Sequence, residues 1–309
     1  MLTSTLLYGG LIPAAAALQA TLLAARLRTP PSAQWSTGVA AGVIVGLLAL
    51  KSRAGRSLAF HSALHPAEAA DWVPLIVFIS WLAAMLCIAG STISSQPTAN
   101  PTVYRIKRTA INVASLLFTI AVPLRLLSGN ARLTREWSAF DKLACLAILA
   151  ATLATAWRLL ASDDNSKQAV VKLPLLVATT LATAIVLTFH AHVLVYGEAC
   201  ATLAAALTGT ASACFPGATG SASASRESWI TGLAGAAAPI TFTLGSYLIL
   251  GYFFADLSTL SATLLALSLV AAGGPMPAQV ATRPLWQQIG IRVSACLLPL
   301  IFLLIRTEV

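Results

Sequence analysis

Hydrophobic residues run in long unbroken blocks along this chain, and short stretches between the blocks hold most of the charges, prolines and glycines. Several blocks reach the ~20 residues that an α-helix needs to cross ~30 Å of hydrocarbon. Continuous alanine and leucine runs favour helices, which satisfy their own backbone hydrogen bonds in lipid. The pattern predicts an all-α fold, a polytopic integral membrane bundle with about nine or ten transmembrane helices.

The blocks divide the chain into ten candidate spans within a single transmembrane domain, 1–309. The spans cover residues 3–25, 36–50, 72–93, 109–127, 142–160, 173–196, 198–215, 228–254, 256–272 and 288–305. The span 198–215 is doubtful because its mixture of Ala, Thr and Ser is only modestly hydrophobic, so a re-entrant or interfacial segment is the alternative. No Lys or Arg precedes the first block, which favours a retained span over a cleaved signal peptide.

Composition supports the membrane assignment and changes how the charge is interpreted. Only 9% of the residues are charged, whereas an average soluble domain has about 25%. The net charge of +9 would suggest nucleic acid in a soluble protein, but here the basic residues lie in short connections, as Arg105, Lys107 and Arg108 do. Such residues anchor helix ends at lipid headgroups, so a lipid bilayer is the expected partner and nucleic acid is not.

The distribution of basic residues gives a weak orientation. If ten spans alternate, eight Lys and Arg residues fall on the side of the N-terminus and eleven on the other side. The more positive side of a membrane protein faces the cytoplasm, so both termini are predicted to lie outside it. The excess of Arg over Lys and the frequent Ala are typical of GC-rich bacteria, which favours a bacterial cytoplasmic (inner) membrane.

Three glycines are the sharpest local pattern in the sequence. Gly38, Gly42 and Gly46 recur every four residues through the second span and so form a flat groove on one helix face, where another helix can approach closely. The groove predicts packing against a neighbouring span of the same chain. The alternative is a seam with a second copy or with a membrane partner subunit.

The four histidines fall in two places, which alternating spans bring to one membrane face. These residues are His61, His65, His190 and His192. Glu68, Asp71 and Glu198 would accompany them as a polar site. Histidine and carboxylate at one interface suit a metal site, a haem or a proton relay. However, His190 and His192 lie about 200° apart around a regular helix, so ordinary interfacial histidines are the competing interpretation.

The spans contain few ionisable residues, and the motifs of soluble enzymes are missing from the sequence. Neither a phosphate-binding loop nor a dinucleotide-binding or zinc-protease motif is present, and no two cysteines form a C-x-x-C pair. The sequence therefore favours a non-enzymatic carrier or a helical subunit of a membrane complex, with no cofactor expected. The alternative is a membrane-embedded metal or haem protein that uses the four histidines.

Overall fold

A computed structural model describes residues 5–54, 68–94, 113, 116–128, 130, 136–162, 169–189, 191–214, 231–273 and 278–306. These residues are almost entirely helical, and no strand occurs among them. The prediction of an all-α fold is therefore confirmed.

Ten helices longer than ten residues lie in the described ranges, together with a one-turn helix at Ala278–Ala281. They are α1 (Ile12–Arg26, entered through a π-helical turn at Leu7–Leu11), α2 (Pro31–Arg53), α3 (Val73–Ser94, after a 3-10 turn at Ala69–Trp72), α4 (Leu116–Leu127), α5 (Ala139–Ala161), α6 (Ala169–Phe189), α7 (Leu194–Ala213), α8 (Ala237–Phe254), α9 (Thr259–Gly273) and α10 (Leu285–Arg306).

Seven of these helices are long and apolar enough to cross a membrane, namely α1, α2, α3, α5, α6, α8 and α10. The helices α4 and α9 are apolar but shorter. Large hydrophobic side chains face outward from the bundle, as Leu86, Ile148 and Phe302 do. This arrangement suits hydrocarbon as the surrounding solvent. The chain is a polytopic helical membrane protein.

Ion pairs and ring contacts show which helix ends lie together. Lys51 at the end of α2 contacts Asp71 before α3, and Arg53 contacts Glu198 at the start of α7. The guanidinium of Arg125 in α4 lies 3.8 Å from the Trp72 ring. We call this end of the bundle the charged end. Consecutive helices alternate in direction, since α2 and α4 finish here whereas α3 and α7 begin here.

Helix α8 is the central helix of the bundle. Every residue from Ala237 to Tyr247 is buried, on all sides of the helix. Its neighbours are α2, α3, α5, α7 and α9. Glycines allow two of the close contacts, because an added Cβ at Gly251 would meet Leu187 of α6 and one at Gly245 would meet Leu153 of α5.

The glycine groove of α2 is filled by helices of the same chain. A Cβ added at Gly42 would lie 2.7 Å from the Cβ of Ala206 in α7 and 2.8 Å from that of Ala17 in α1. One added at Gly46 would lie 2.8 Å from Pro13 and 2.9 Å from Thr202. Gly38 faces the same two helices at Thr21 and Thr210. A second protein would therefore need another surface, because α1 and α7 already cover this one.

The doubtful segment forms a continuous helix of 20 residues, α7. It packs against α1, α2 and α6, and twelve of its residues are buried. A helix of this length spans about 30 Å. Its small residues contact the glycine groove, which explains why a weakly hydrophobic sequence occupies the interior of the bundle.

The turn between α6 and α7 comes earlier than the hydrophobic pattern indicates. Helix α6 ends at Phe189 and α7 begins at Leu194, whereas the pattern extends the sixth span to residue 196. His192 has a φ of 53°, the left-handed conformation that reverses the chain here. Gly197 lies against the side chain of Thr188, so the first turn of α7 approaches the last turn of α6 closely.

Candidate functional site

A cavity of about 500 Å³ opens among the helix ends at the charged end. We call it the charged cavity. The side chains of α2, the start of α3, the start of α7 and Tyr247 of α8 line it. The lining residues are Leu47, Leu50, Lys51, Arg53, Ala54, Glu68, Ala70, Pro74, Val193, Val195, Tyr196, Glu198, Ala199 and Tyr247.

One wall of the charged cavity is an ion pair that joins three helices. Arg53 at the end of α2 donates to Oε1 of Glu198 in α7 at 2.9 Å. The hydroxyl of Thr5, before α1, donates to the same carboxylate oxygen at 3.0 Å. The Glu198 side chain is 11% exposed and that of Arg53 is 27% exposed. The pair is thus partly withdrawn from solvent, where its attraction is stronger than in bulk water.

A second ion pair joins the end of α2 to the start of α3. Nζ of Lys51 lies 3.1 Å from Oδ1 of Asp71. Asp71 also accepts a hydrogen bond from the backbone N–H of Glu68, which fixes the turn that precedes α3. The positions suit both residues, since cations are favoured in the last turn of a helix and anions in the first.

Among the described residues that line the cavity, two side chains are basic and two are acidic. Lys51 and Arg53 are basic, whereas Glu68 and Glu198 are acidic. Asp71 forms an ion pair with Lys51 but does not itself line the cavity. Between these groups the wall is aliphatic, formed by residues such as Leu50 and Val195. The cavity therefore presents donors, carboxylates and hydrocarbon together, which suits a molecule that carries both charge signs and little net charge.

Two tyrosines form the inner wall of the cavity. The rings of Tyr196 and Tyr247 are 6.0 Å apart, and Tyr247 is 3% exposed. The helix that carries Tyr247, α8, also carries the hydroxyls of Ser246 and Thr241, which are fully buried. Neither hydroxyl has a hydrogen-bond partner among the described residues. Such groups are uncommon in a folded interior and require an explanation.

The structure brings together three residues of the predicted polar site. Glu68 and Glu198 line the charged cavity and Asp71 is bonded to its Lys51. His192 is exposed in the turn between α6 and α7, beside the lining residue Val193. His61, His65 and His190 lie outside the described residues.

A metal or haem site on the histidines stays a prediction, because three of its four residues are not described. Among the described residues, no group of three or more His, Cys, Asp and Glu could hold a metal ion.

Four residues of the cavity are not among the candidates from the sequence. Lys51 and Arg53 follow a hydrophobic block and resemble ordinary headgroup anchors. Tyr196 and Tyr247 lie inside hydrophobic blocks. The sequence does contain one signal for these residues, because opposite charges at the ends of consecutive spans can form an ion pair, as Lys51 and Asp71 do.

Comparisons with protein families, curated proteins and solved structures find no significant match. The function is therefore inferred from the cavity and from the bundle that holds it.

Proposed function

We propose that the protein is a carrier that binds a small zwitterionic solute in the charged cavity. The observation that carries the proposal is that cations and carboxylates line one partly enclosed space, namely Lys51, Arg53, Glu68 and Glu198. An ammonium and a carboxylate on one solute would each find a partner of opposite sign. Ligand sites commonly combine such a few polar groups with apolar walls.

The interior beyond the cavity supports movement of a neutral molecule over movement of an ion. The hydroxyls of Ser246 and Thr241 are buried on the central helix and have no hydrogen-bond partner among the described residues. Hydroxyls can donate and accept as a polar molecule passes, without the cost of an uncompensated charge in the membrane. A solute whose charges cancel matches this interior better than a solute with a net charge.

The proposed location is a bacterial cytoplasmic membrane, with the charged end outside the cytoplasm. The support is the distribution of basic residues, eleven on the side opposite the N-terminus and eight on the side of the N-terminus. In this orientation the charged cavity is open to solutes outside the cell membrane.

Protection of a cysteine in the cavity tests binding. Leu50 lines the charged cavity and is partly exposed, so Leu50→Cys should react with a water-soluble maleimide. Glycine, L-alanine, L-leucine and glycine betaine are the probes, with succinate and putrescine as singly signed controls. At least one zwitterion should slow labelling about tenfold near 90% occupancy, which needs roughly ten times its Kd.

The matched control is His192→Cys, which lies at the same end of the bundle but outside the cavity lining. Site-resolved mass spectrometry separates the introduced thiol from the native ones. Protection at position 50 without protection at position 192 supports the proposal. Equal protection by succinate or putrescine would contradict a zwitterion site, and so would unchanged labelling with every probe.

A further inference from the structure

A second cavity of about 230 Å³ lies at the end opposite the charged end. We call it the Arg158 cavity. It is bounded by α3, α4, α5 and the short helical segment before α8, with Ala84, Leu116, Ala154, Trp157, Arg158 and Gly235 in its lining. It shares no lining residue with the charged cavity. Leu116 is 55% exposed on the outer surface of the bundle, so the cavity reaches the surface that faces lipid.

Small residues on three structural elements create the space in the Arg158 cavity. Ala84 of α3 and Ala154 of α5 leave room where larger side chains would fill it, and Ala234 before α8 is a third small residue in the lining. Its inner limit is aromatic, because the Trp157 ring packs edge-on against Phe242 at 5.5 Å. Phe242 in turn packs against Phe118, with the ring centroids 4.4 Å apart and the ring planes tilted by 60°. These rings separate the cavity from the centre of the bundle.

The wall of the Arg158 cavity is mostly hydrocarbon, and its hydroxyl is already bonded. Thr119 lines the cavity, but its Oγ1 donates to the carbonyl of Leu116 at 2.7 Å. Ile88 and Ala161 add apolar surface. A polar solute would lose its hydration here with little compensation, whereas an acyl chain would lose none.

Arg158 is the only cation among the described residues that line this cavity. Arg158 lies in the last turn of α5, where the helix dipole favours a cation, and its side chain is exposed. An arginine at the end of a membrane helix extends its head to the level of the lipid headgroups. The guanidinium matches phosphate oxygens through paired hydrogen bonds.

We infer that the Arg158 cavity binds one anionic phospholipid, with an acyl chain between α3 and α5 and the phosphate on Arg158. The combination of an apolar slot open to lipid and a cation at headgroup level identifies this occupant. Basic pockets between membrane helices recognise anionic headgroups in the same way. This lipid site does not depend on the proposal that a zwitterion binds in the charged cavity, because the two cavities share no lining residue.

Native mass spectrometry with two lipids tests the inference. Purified full-length protein is mixed with equimolar phosphatidylglycerol and phosphatidylcholine, and the bound lipid is counted. The wild type should retain one phosphatidylglycerol in preference to phosphatidylcholine. Arg158→Gln should reduce that preference about tenfold, the loss expected for a hydrogen bond to a charged group. Ala154→Leu should weaken binding of both lipids by filling the slot.

Arg26→Gln is the matched control, because Arg26 is also an exposed cation in the last turn of a helix, α1, at the same end. It should keep the preference of the wild type. Equal loss in Arg26→Gln and Arg158→Gln would show general surface electrostatics and overturn the inference. An unchanged preference in Arg158→Gln would overturn it as well, and so would a fatty acid or detergent in place of the phospholipid.

Discussion

At the residue scale, the close packing of the interior depends on glycines, which have no side chain to hold the helices apart. Gly38, Gly42 and Gly46 allow α2 to approach α1 and α7 with backbone contact. At Gly42 a single added methyl group would stand 2.7 Å from one Cβ and 2.8 Å from another, well inside van der Waals contact. Close packing of this kind replaces the hydrophobic driving force that helices lack in lipid.

Gly42→Ala should therefore destabilise the protein by about 1–3 kcal/mol, the usual cost of overpacking. The comparison is Gly290→Ala, at an exposed position of α10 where an added Cβ meets nothing within 4 Å. That variant should be neutral or more stable by up to about 1 kcal/mol, because alanine favours a helix over glycine. Thermal unfolding in detergent measures both, and a Gly42→Ala variant as stable as Gly290→Ala would disprove tight packing.

The other residue-scale feature is how the buried hydroxyl groups of Ser and Thr find hydrogen-bond partners. Most buried Thr and Ser side chains donate to a carbonyl one turn back in their own helix, as Thr179 and Thr183 do. This is the ordinary solution inside a membrane helix. Four buried hydroxyls depart from it and have no hydrogen-bond partner among the described residues, namely those of Ser36, Thr210, Thr241 and Ser246.

At the element scale, α7 is the helix whose sequence is most misleading. Hydrophobicity alone ranks it as a doubtful span. In the structure most of its Ala, Thr and Gly residues are buried against other helices, so small size and not apolar character is the property that matters. Gly209 packs against the backbone of Ala14 in α1, at a separation that no larger residue would permit.

Labelling from both sides of the membrane should show that α7 crosses it. His192 and Ser212 are exposed near the two ends of α7, and 20 residues of helix separate them by about 30 Å. In sealed vesicles of one orientation, an impermeant maleimide should label His192→Cys from one side and Ser212→Cys from the other. Labelling of both from one side would make α7 a re-entrant segment.

At the scale of the whole molecule, the sequence predicts the helical bundle well because long apolar blocks have few alternatives in lipid. It also brings Glu68, Asp71 and Glu198 to one face through alternation of the spans alone. It does not predict the pairing of Arg53 with Glu198, because that contact joins residues 145 positions apart. The sequence places the α6–α7 turn too late, because His192 reverses the chain and no glycine or proline marks the position.

The ion pairs give the whole bundle a common anchor at the charged end. Arg53, Glu198 and Thr5 connect α2, α7 and the segment before α1, whereas Lys51 and Asp71 connect α2 to α3. Exchange of the two charges of the first pair, in the double variant Arg53→Glu with Glu198→Arg, retains an attraction between the helices. The same exchange displaces the cation and the carboxylate that would hold a solute.

Uptake into proteoliposomes tests the central claim most directly. Purified wild type should take up at least one of glycine, L-alanine, L-leucine and glycine betaine above protein-free vesicles, and Gly290→Ala should match it. The Arg53→Glu, Glu198→Arg variant should fold with near-normal thermal stability but lose uptake by at least about tenfold, because tenfold is the loss expected for one charged hydrogen bond and both charged partners of the solute are displaced. Folded wild type that transports none of the four, or a charge-exchanged variant that transports as well as wild type, would contradict a solute site in the charged cavity.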